Sequence, residues 1–295
     1  MRRLILIAVL ICGLITPERP AGARATPPQG RLAASDIVLP RRSDSVRFAV
    51  IGDGGTGQRA QYETAAMMAE AHALFPFEFV LMAGDNIYGA QGPADFVLKF
   101  ERPYAKLLER GVKFYASLGN HDNPNQRFYK LFNMGGERYY SFKHRNTRFF
   151  ALDSNYVDRR QLDWIERELR DSHDDWKICF FHHPIYSSGG RHGSDLELRV
   201  VLEPLFVRHG VRVVFAGHDH FYERIMPQQG IHYFVTGAAG QLRPGDIRAG
   251  GLTAKGFARD RHFVLVEIHG DNLHFQAISR DGQTVDSGVL SRNGE

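Results

Sequence analysis

Residues 46–55 read Val-Arg-Phe-Ala-Val-Ile-Gly-Asp-Gly-Gly. An apolar run of this length is a strand buried on both faces, and the glycine-rich turn after it leaves a carboxylate, Asp53, at the strand's carboxyl end. The same grammar recurs four times along the chain. Phe77–Ala83 runs into Gly84-Asp85-Asn86-Ile87-Tyr88, and Val112–Leu118 into Gly119-Asn120-His121-Asp122. Lys177–Phe181 runs into His182-His183-Pro184, and Val211–Ala216 into Gly217-His218-Asp219-His220. In an α/β sheet the carboxyl ends of parallel strands share one edge, the usual place for a ligand crevice. One Gly-Asp or Gly-His-Asp-His alone is an ordinary turn. Five in order, each ending in Asp, Asn or His, are expected to converge on one site.

The surrounding sequence supports α/β organisation. Stretches with helical spacing, Gln58–Leu74 and Gln161–Arg170, lie between strand-like runs, and in the second Leu162, Ile165 and Leu169 recur on one face. Arg148–Leu152 and Tyr233–Val235 read as further strands. Residues 262–290 hold three strand-like runs separated by Gly-Asp-Asn and Arg-Asp-Gly turns, a closing antiparallel meander. No repeat or composition break divides the chain, so residues 45–292 are expected to form a single domain, preceded by a Pro-, Ala- and Arg-rich tail or linker over 26–44.

Residues 1–25 carry Arg2 and Arg3, an apolar run from Leu4 to Ile15, and Ala23-Arg24-Ala25, the pattern of a cleaved secretory signal peptide. The run is short of the roughly twenty residues that a membrane span needs, and the residues before Cys12 lack the small side chain of a lipoprotein signal. A secreted or periplasmic protein, off the membrane after cleavage, is expected. The net charge of +4 comes from 37 basic and 33 acidic side chains; removing the segment's four arginines and one glutamate leaves 33 and 32. Nucleic-acid binding therefore has no bulk electrostatic support. Cys179, in an apolar run, is the mature chain's one cysteine and reads as a small buried hydrophobe.

Carboxylate, amide oxygen and imidazole together suit a hard-to-borderline metal. The number of donors exceeds what one ion would take, which implies two ions, with Asp85 placed to bridge them.

The segments FAVIGDGG, LMAGDNIYG, SLGNHD, CFFHHPIYS and FAGHDHFYER resemble those of the calcineurin-like metallophosphoesterases, and within them the small, tartrate-resistant type of purple acid phosphatase. The resemblance covers about residues 47–240, and more loosely the closing strands. It implies the metallophosphoesterase fold, a four-layer αββα sandwich of two mixed sheets flanked by helices. Most of the superfamily carries Asp-x-His at the first strand, whereas this chain has Gly55 at the third position and Tyr88 three residues after the bridging Asp85, the replacement typical of purple acid phosphatases. A phenol ionises readily only beside a strong Lewis acid, so the resemblance implies Fe(III) at site one and Fe(II), Zn or Mn at site two.

Carried over residue by residue, the resemblance assigns Asp53, Asp85, Tyr88 and His220 to the first metal and Asp85, Asn120, His182 and His218 to the second. His121 and His192 match substrate-side histidines, and Asp122 could orient His121 by a hydrogen bond. His183 stands where an aromatic residue is usual, which leaves the choice of ligand between His182 and His183 open. Residues 88–100 resemble the family's loop over the metal site.

The expected reaction is hydrolysis of small phosphate monoesters by a monomeric acid phosphatase, in which a metal hydroxide attacks in line and His192 or His121 protonates or stabilises the leaving alkoxide. A divalent-metal phosphodiesterase or nucleotide hydrolase on the same scaffold is the nearest alternative. A secreted metal-binding protein that has lost catalysis is the other, and every matched ligand position is filled.

Overall fold

The computed structural model describes residues 32–248 and 250–292. The expected signal peptide and residues 26–31 lie outside them. The strands are β1 (Val46–Ile51), β2 (Phe79–Ala83), β3 (Lys113–Ser117), β4 (Tyr140–His144), β5 (Thr147–Ala151), β6 (Trp176–Phe181), β7 (Val213–Ala216), β8 (Tyr222–Ile225), β9 (His232–Thr236), β10 (Thr253–Phe257), β11 (His262–His269), β12 (Asn272–Ser279) and β13 (Thr284–Ser291). The helices are α1 (Arg59–Leu74), the single turns α2 (Pro93–Phe96) and α3 (Ala105–Leu108), α4 (Arg159–Asp171) and α5 (Leu196–Arg208).

Two mixed sheets result, in the orders β13-β12-β11-β1-β2-β3 and β10-β8-β9-β7-β6-β5-β4. In the first, β1, β2 and β3 are parallel and the closing meander adds antiparallel to β1; in the second, β5, β6, β7 and β9 are parallel. Alternation along β1 shows why its residues are apolar on both sides. Val46, Phe48 and Val50 enter the core between the sheets, while Ala49 and Ile51 face the layer that holds α1. Phe48 stands edge-on to Phe149 and Phe215 of the opposite sheet at 5.2 and 6.3 Å, joining the two. Burying such a ring is worth about 1.5–3 kcal/mol.

The helix expected over Gln161–Arg170 is α4. Asp158 caps it by accepting from Gln161 N–H, its Ile165 and Leu169 are buried, and Leu162 packs beside them against the outer face of the second sheet. Asp195 caps α5 in the same way and closes the fourth layer.

The segment expected to be a tail or linker is, in its described part, attached to the body. Leu32, Ile37 and Leu39 are buried in the α1 layer. Gln276 of β12 accepts from Val38 N–H and donates to the Asp36 carbonyl, and the buried Glu267 of β11 accepts from the backbones of Arg41 and Arg42. A few apolar residues without periodicity suffice to cover an otherwise bare sheet face. That requirement belongs to the sheet's third dimension and leaves no local signature.

Candidate metal centre

All five expected donor turns lie at the carboxyl ends of β1, β2, β3, β6 and β7, on one rim shared by both sheets. Backbone bonds lace the turns together: Asp53 N–H donates to the Gly84 carbonyl (3.0 Å), Gly217 N–H to the His182 carbonyl (2.9 Å), and His218 N–H crosses between sheets to Asp53 Oδ2 (2.8 Å). The glycines permit this approach. A Cβ at Gly217 would lie 2.5 Å from Asp53 Oδ2 and 2.6 Å from the Ala83 carbonyl. Three donors, Asp53, Asp85 and His218, hold left-handed backbone with φ of 55°, 50° and 70°. Strain at non-glycine residues persists where surrounding structure over-determines it, commonly at functional sites.

The side chains form two adjoining groups. In the first, the Tyr88 hydroxyl donates to Asp53 Oδ1 at 3.0 Å and lies 3.3 Å from His220 Nε2, which is itself 3.3 Å from Asp53 Oδ1. In the second, His182 Nε2 lies 3.0 Å from Asn120 Oδ1, 3.1 Å from His218 Nδ1 and 3.5 Å from Asp85 Oδ1. His182 Nδ1 donates to the Ala83 carbonyl at 2.9 Å, so in a neutral ring Nε2 presents a bare lone pair toward those oxygens. The carboxylate of Asp85 is also grouped with Asp53 and His220, which places it between the two sets.

The electrostatics of this rim suit cations. Asp53 and Asp85 are 0% and 1% exposed, and among the described residues no lysine or arginine pairs with either. Burial, and then the neighbouring Asp85 charge, push the Asp53 carboxyl well above its ordinary range. Burial holds His182 well below its usual range, His218 down to about 2 and His220 to about 4. These rings are therefore neutral, the state in which imidazole binds metal. Burial, then Asp53 and Asp85, push the Tyr88 phenol upward, so only a strongly charged ion would ionise it. Buried carboxylates without cations and lone pairs facing oxygens fit a pair of metal ions.

Gly55, where most of the superfamily would have histidine, explains how Tyr88 reaches the site. A Cβ there would lie 1.7 Å from the Asn86 carbonyl oxygen, and the Gly55 carbonyl accepts from Tyr88 N–H at 2.9 Å. The loop carrying the phenol occupies the space that a side chain at 55 would need. Lys99 fastens this loop from outside by donating to the carbonyls of Tyr88 and Ala90, both at 2.8 Å.

Burial falls off in one direction. Asn120, His121 and His192 are exposed, while Asp53, Asp85 and His182 are not, so the centre opens toward the first three. The His121 ring packs 4.9 Å from Tyr88, and that of His192 4.2 Å from His218. His183 lies beside His218, ring centres 4.5 Å apart, with Nδ1 at 2.9 Å from Ser154 Oγ; it forms a second donor cluster with His182 and His218.

Asp122, expected to orient His121, is engaged elsewhere. Its carboxylate accepts from the backbone N–H groups of Asn86, Ile87 and Gly119 and from the side chains of Asn86 and Gln126, joining the Asp85 and Asn120 turns. Burial, and then Asp85, raise its carboxyl to about 7.

Two supporting residues were not singled out by the sequence reading. Gln91 donates to the His121 carbonyl at 2.6 Å and so ties the loop after Tyr88 to the exposed rim. Asp219, between His218 and His220, accepts from the Ser187 hydroxyl at the base of the His192 loop. Its place in Gly-His-Asp-His was the only available signal.

The family model described as calcineurin-like phosphoesterase matches residues 46–222. Tartrate-resistant acid phosphatase type 5 of Homo sapiens is 28% identical over 304 residues, covering 84% of this chain and 93% of that protein. Among solved structures, GAP50, the anchor in the inner membrane complex of Plasmodium, superposes with a TM-score of 0.74 at 20% identity, covering 84% of this chain and 89% of that one. A purple acid phosphatase from yellow lupin (Lupinus luteus) seeds gives 0.67 at 20% identity, covering 86% of this chain and 55% of that one. Both structural likenesses concern the fold, which is the two-sheet metallophosphoesterase sandwich expected from the motifs.

Proposed function

The chain belongs to the calcineurin-like phosphoesterase family, and on that premise we propose that it is a secreted acid phosphatase hydrolysing small phosphate monoesters at a dinuclear Fe(III)–M(II) centre, with M being Fe, Zn or Mn. The observation that carries this reading is the Tyr88 hydroxyl, 3.0 Å from Asp53 Oδ1 and 3.3 Å from His220 Nε2, because a phenol in a ligand set selects a hard, trivalent ion. Acid phosphatases of the tartrate-resistant type among the relatives support the reaction class.

Asp53, Asp85, Tyr88 and His220 would hold the first ion and Asp85, Asn120, His182 and His218 the second. Bound there, the two ions would neutralise the phosphoryl oxygens and lower the pKa of a coordinated water enough to supply the nucleophile below neutral pH. His182 is kept in the right tautomer by the Ala83 carbonyl, an outer contact of the kind that fixes ring orientation. Asp122 holds the Asp85 and Asn120 turns at a constant separation through bonds to both. His121 and His192, exposed on the open side, would bind the ester and give a proton to the departing oxygen.

His192→Ala is expected to keep both metals while lowering kcat by roughly 10²-fold, the contribution of a positioned general acid. Unchanged turnover would remove His192 from the reaction. The kcat profile is expected to peak below pH 7, and a maximum above neutrality would overturn the trivalent-ion assignment. Comparing p-nitrophenyl phosphate with its bis ester tests monoester preference: faster cleavage of the diester would favour a phosphodiesterase. Among the described residues no helix is long and apolar enough to cross a membrane. Secretion rests on residues 1–25, and N-terminal sequencing of exported protein checks it.

A further inference from the structure

At the opposite ends of the strands lies a cavity of about 620 Å³ whose chemistry has no part in the metal centre. It opens where β1, β2 and β3 begin and where β4 turns into β5. Four permanent cations line it, Arg47, Arg110, Lys113 and Arg145, against a single carboxylate, Glu78. Glu78 is taken by His144, 3.0 Å away. Arg110 is held by neutral acceptors, the Ala69 carbonyl at 3.0 Å and His72 Nδ1 at 3.3 Å. His72 donates through Nε2 to the Phe77 carbonyl, so its other nitrogen is an acceptor and adds no charge.

Arg47, Lys113 and Arg145 have neither an acidic nor a hydrogen-bonding side-chain partner among the described residues, whereas arginines elsewhere, such as Arg138, Arg224 and Arg280, are paired with carboxylates. Arg47 Nε is moreover buried without a partner. A buried, unsatisfied cationic donor is rare in native structures and calls for a water or an ion at its side. Like charges facing one cavity between low-dielectric walls also focus a positive field into it.

We infer that this cavity is a second ligand site, which takes a small multivalent oxyanion, a polycarboxylate or condensed phosphate of about three charges, between Arg47, Arg110, Lys113 and Arg145. Its complement is set by four cations against one carboxylate. Arg47 and Asp53 are six residues apart along β1 and its turn, about 20 Å at strand rise, so an anion bound here does not reach the metal centre. The site stands on its own residues, whatever reaction the metal centre performs.

The test titrates the metal-loaded protein calorimetrically with benzene-1,3,5-tricarboxylate, a trianion that no phosphatase can hydrolyse. One equivalent is expected to bind, with affinity falling as salt is raised from 50 to 500 mM because screening shortens the reach of the charges. Lys113→Glu alters an exposed position, and Arg145→Asn suits the left-handed backbone there, φ 52°. Each is expected to weaken binding at least tenfold while leaving p-nitrophenyl phosphate hydrolysis unchanged, which also shows that the variants fold. No heat with the wild-type protein, affinity unaffected by either substitution, or competitive inhibition of hydrolysis that follows the binding curve would each overturn the inference, the last by placing the anion at the metals.

Discussion

Asp85→Asn is expected to empty both metal positions and to abolish phosphate-ester hydrolysis, the largest loss from any single substitution in this chain. Asp85 is 1% exposed, its Oδ1 lies 3.5 Å from His182 Nε2 in one donor group and accepts from His121 N–H at 2.9 Å, and its carboxylate clusters with Asp53 and His220 in the other. A neutral amide would withdraw the charge proposed to be shared by both ions. Outer-sphere substitutions at metal sites cost roughly 10–100-fold, and loss of a bridging ligand should exceed that range. Asparagine tolerates left-handed backbone, whereas alanine at φ 50° would add strain of its own. Elemental analysis of the purified variant beside kcat is the decisive pair of measurements. Two metals retained per chain, with turnover within tenfold of wild type, would sink the assignment of Asp85 as the bridge.

The second large effect is optical. The purified protein is expected to show a visible charge-transfer band from Tyr88 phenolate bound to Fe(III), and Tyr88→Phe is expected to lose it completely. The substitution removes one oxygen and keeps a ring that can still pack at 4.9 Å from His121, so loss of colour would report the metal bond and not collapse of the loop. Lys99 and Gly55 fasten that loop through the backbone of Tyr88, contacts that phenylalanine preserves. A colourless wild-type protein that is active and carries two metals would show that the phenol does not bind ferric iron, and would favour a divalent-metal phosphodiesterase.

The positions of the donors were legible because short-range rules govern them. Val46–Ile51 must be a strand buried on both faces, and Gly52-Asp53 must turn out of it; parallel order then brings Asp53, Asp85, Asn120, His182 and His218 to one rim. The family match over residues 46–222 agrees with the segments that suggested it. The strands β4, β8 and β10 were not legible. Their residues mix apolar and charged side chains, as in Tyr222-Glu223-Arg224-Ile225, and their pairing is decided by the strand already lying next to them. Asp122 was read as a partner of His121 from adjacency, yet adjacent side chains at a turn diverge, and its carboxylate meets backbone donors more than thirty residues away.

By itself the sequence determined the kinds of donor, their order and their places at strand ends, since periodicity and turn chemistry act over a few residues. Only the tertiary structure decided which donors share a neighbourhood, that Gly55 yields its space to the Tyr88 loop, that residues 32–44 cover a sheet face, and that Arg47, Arg110, Lys113 and Arg145 surround one cavity. These are contacts between segments distant in the chain. They follow from how two twisted sheets pack through a shared aromatic core, which no local pattern encodes.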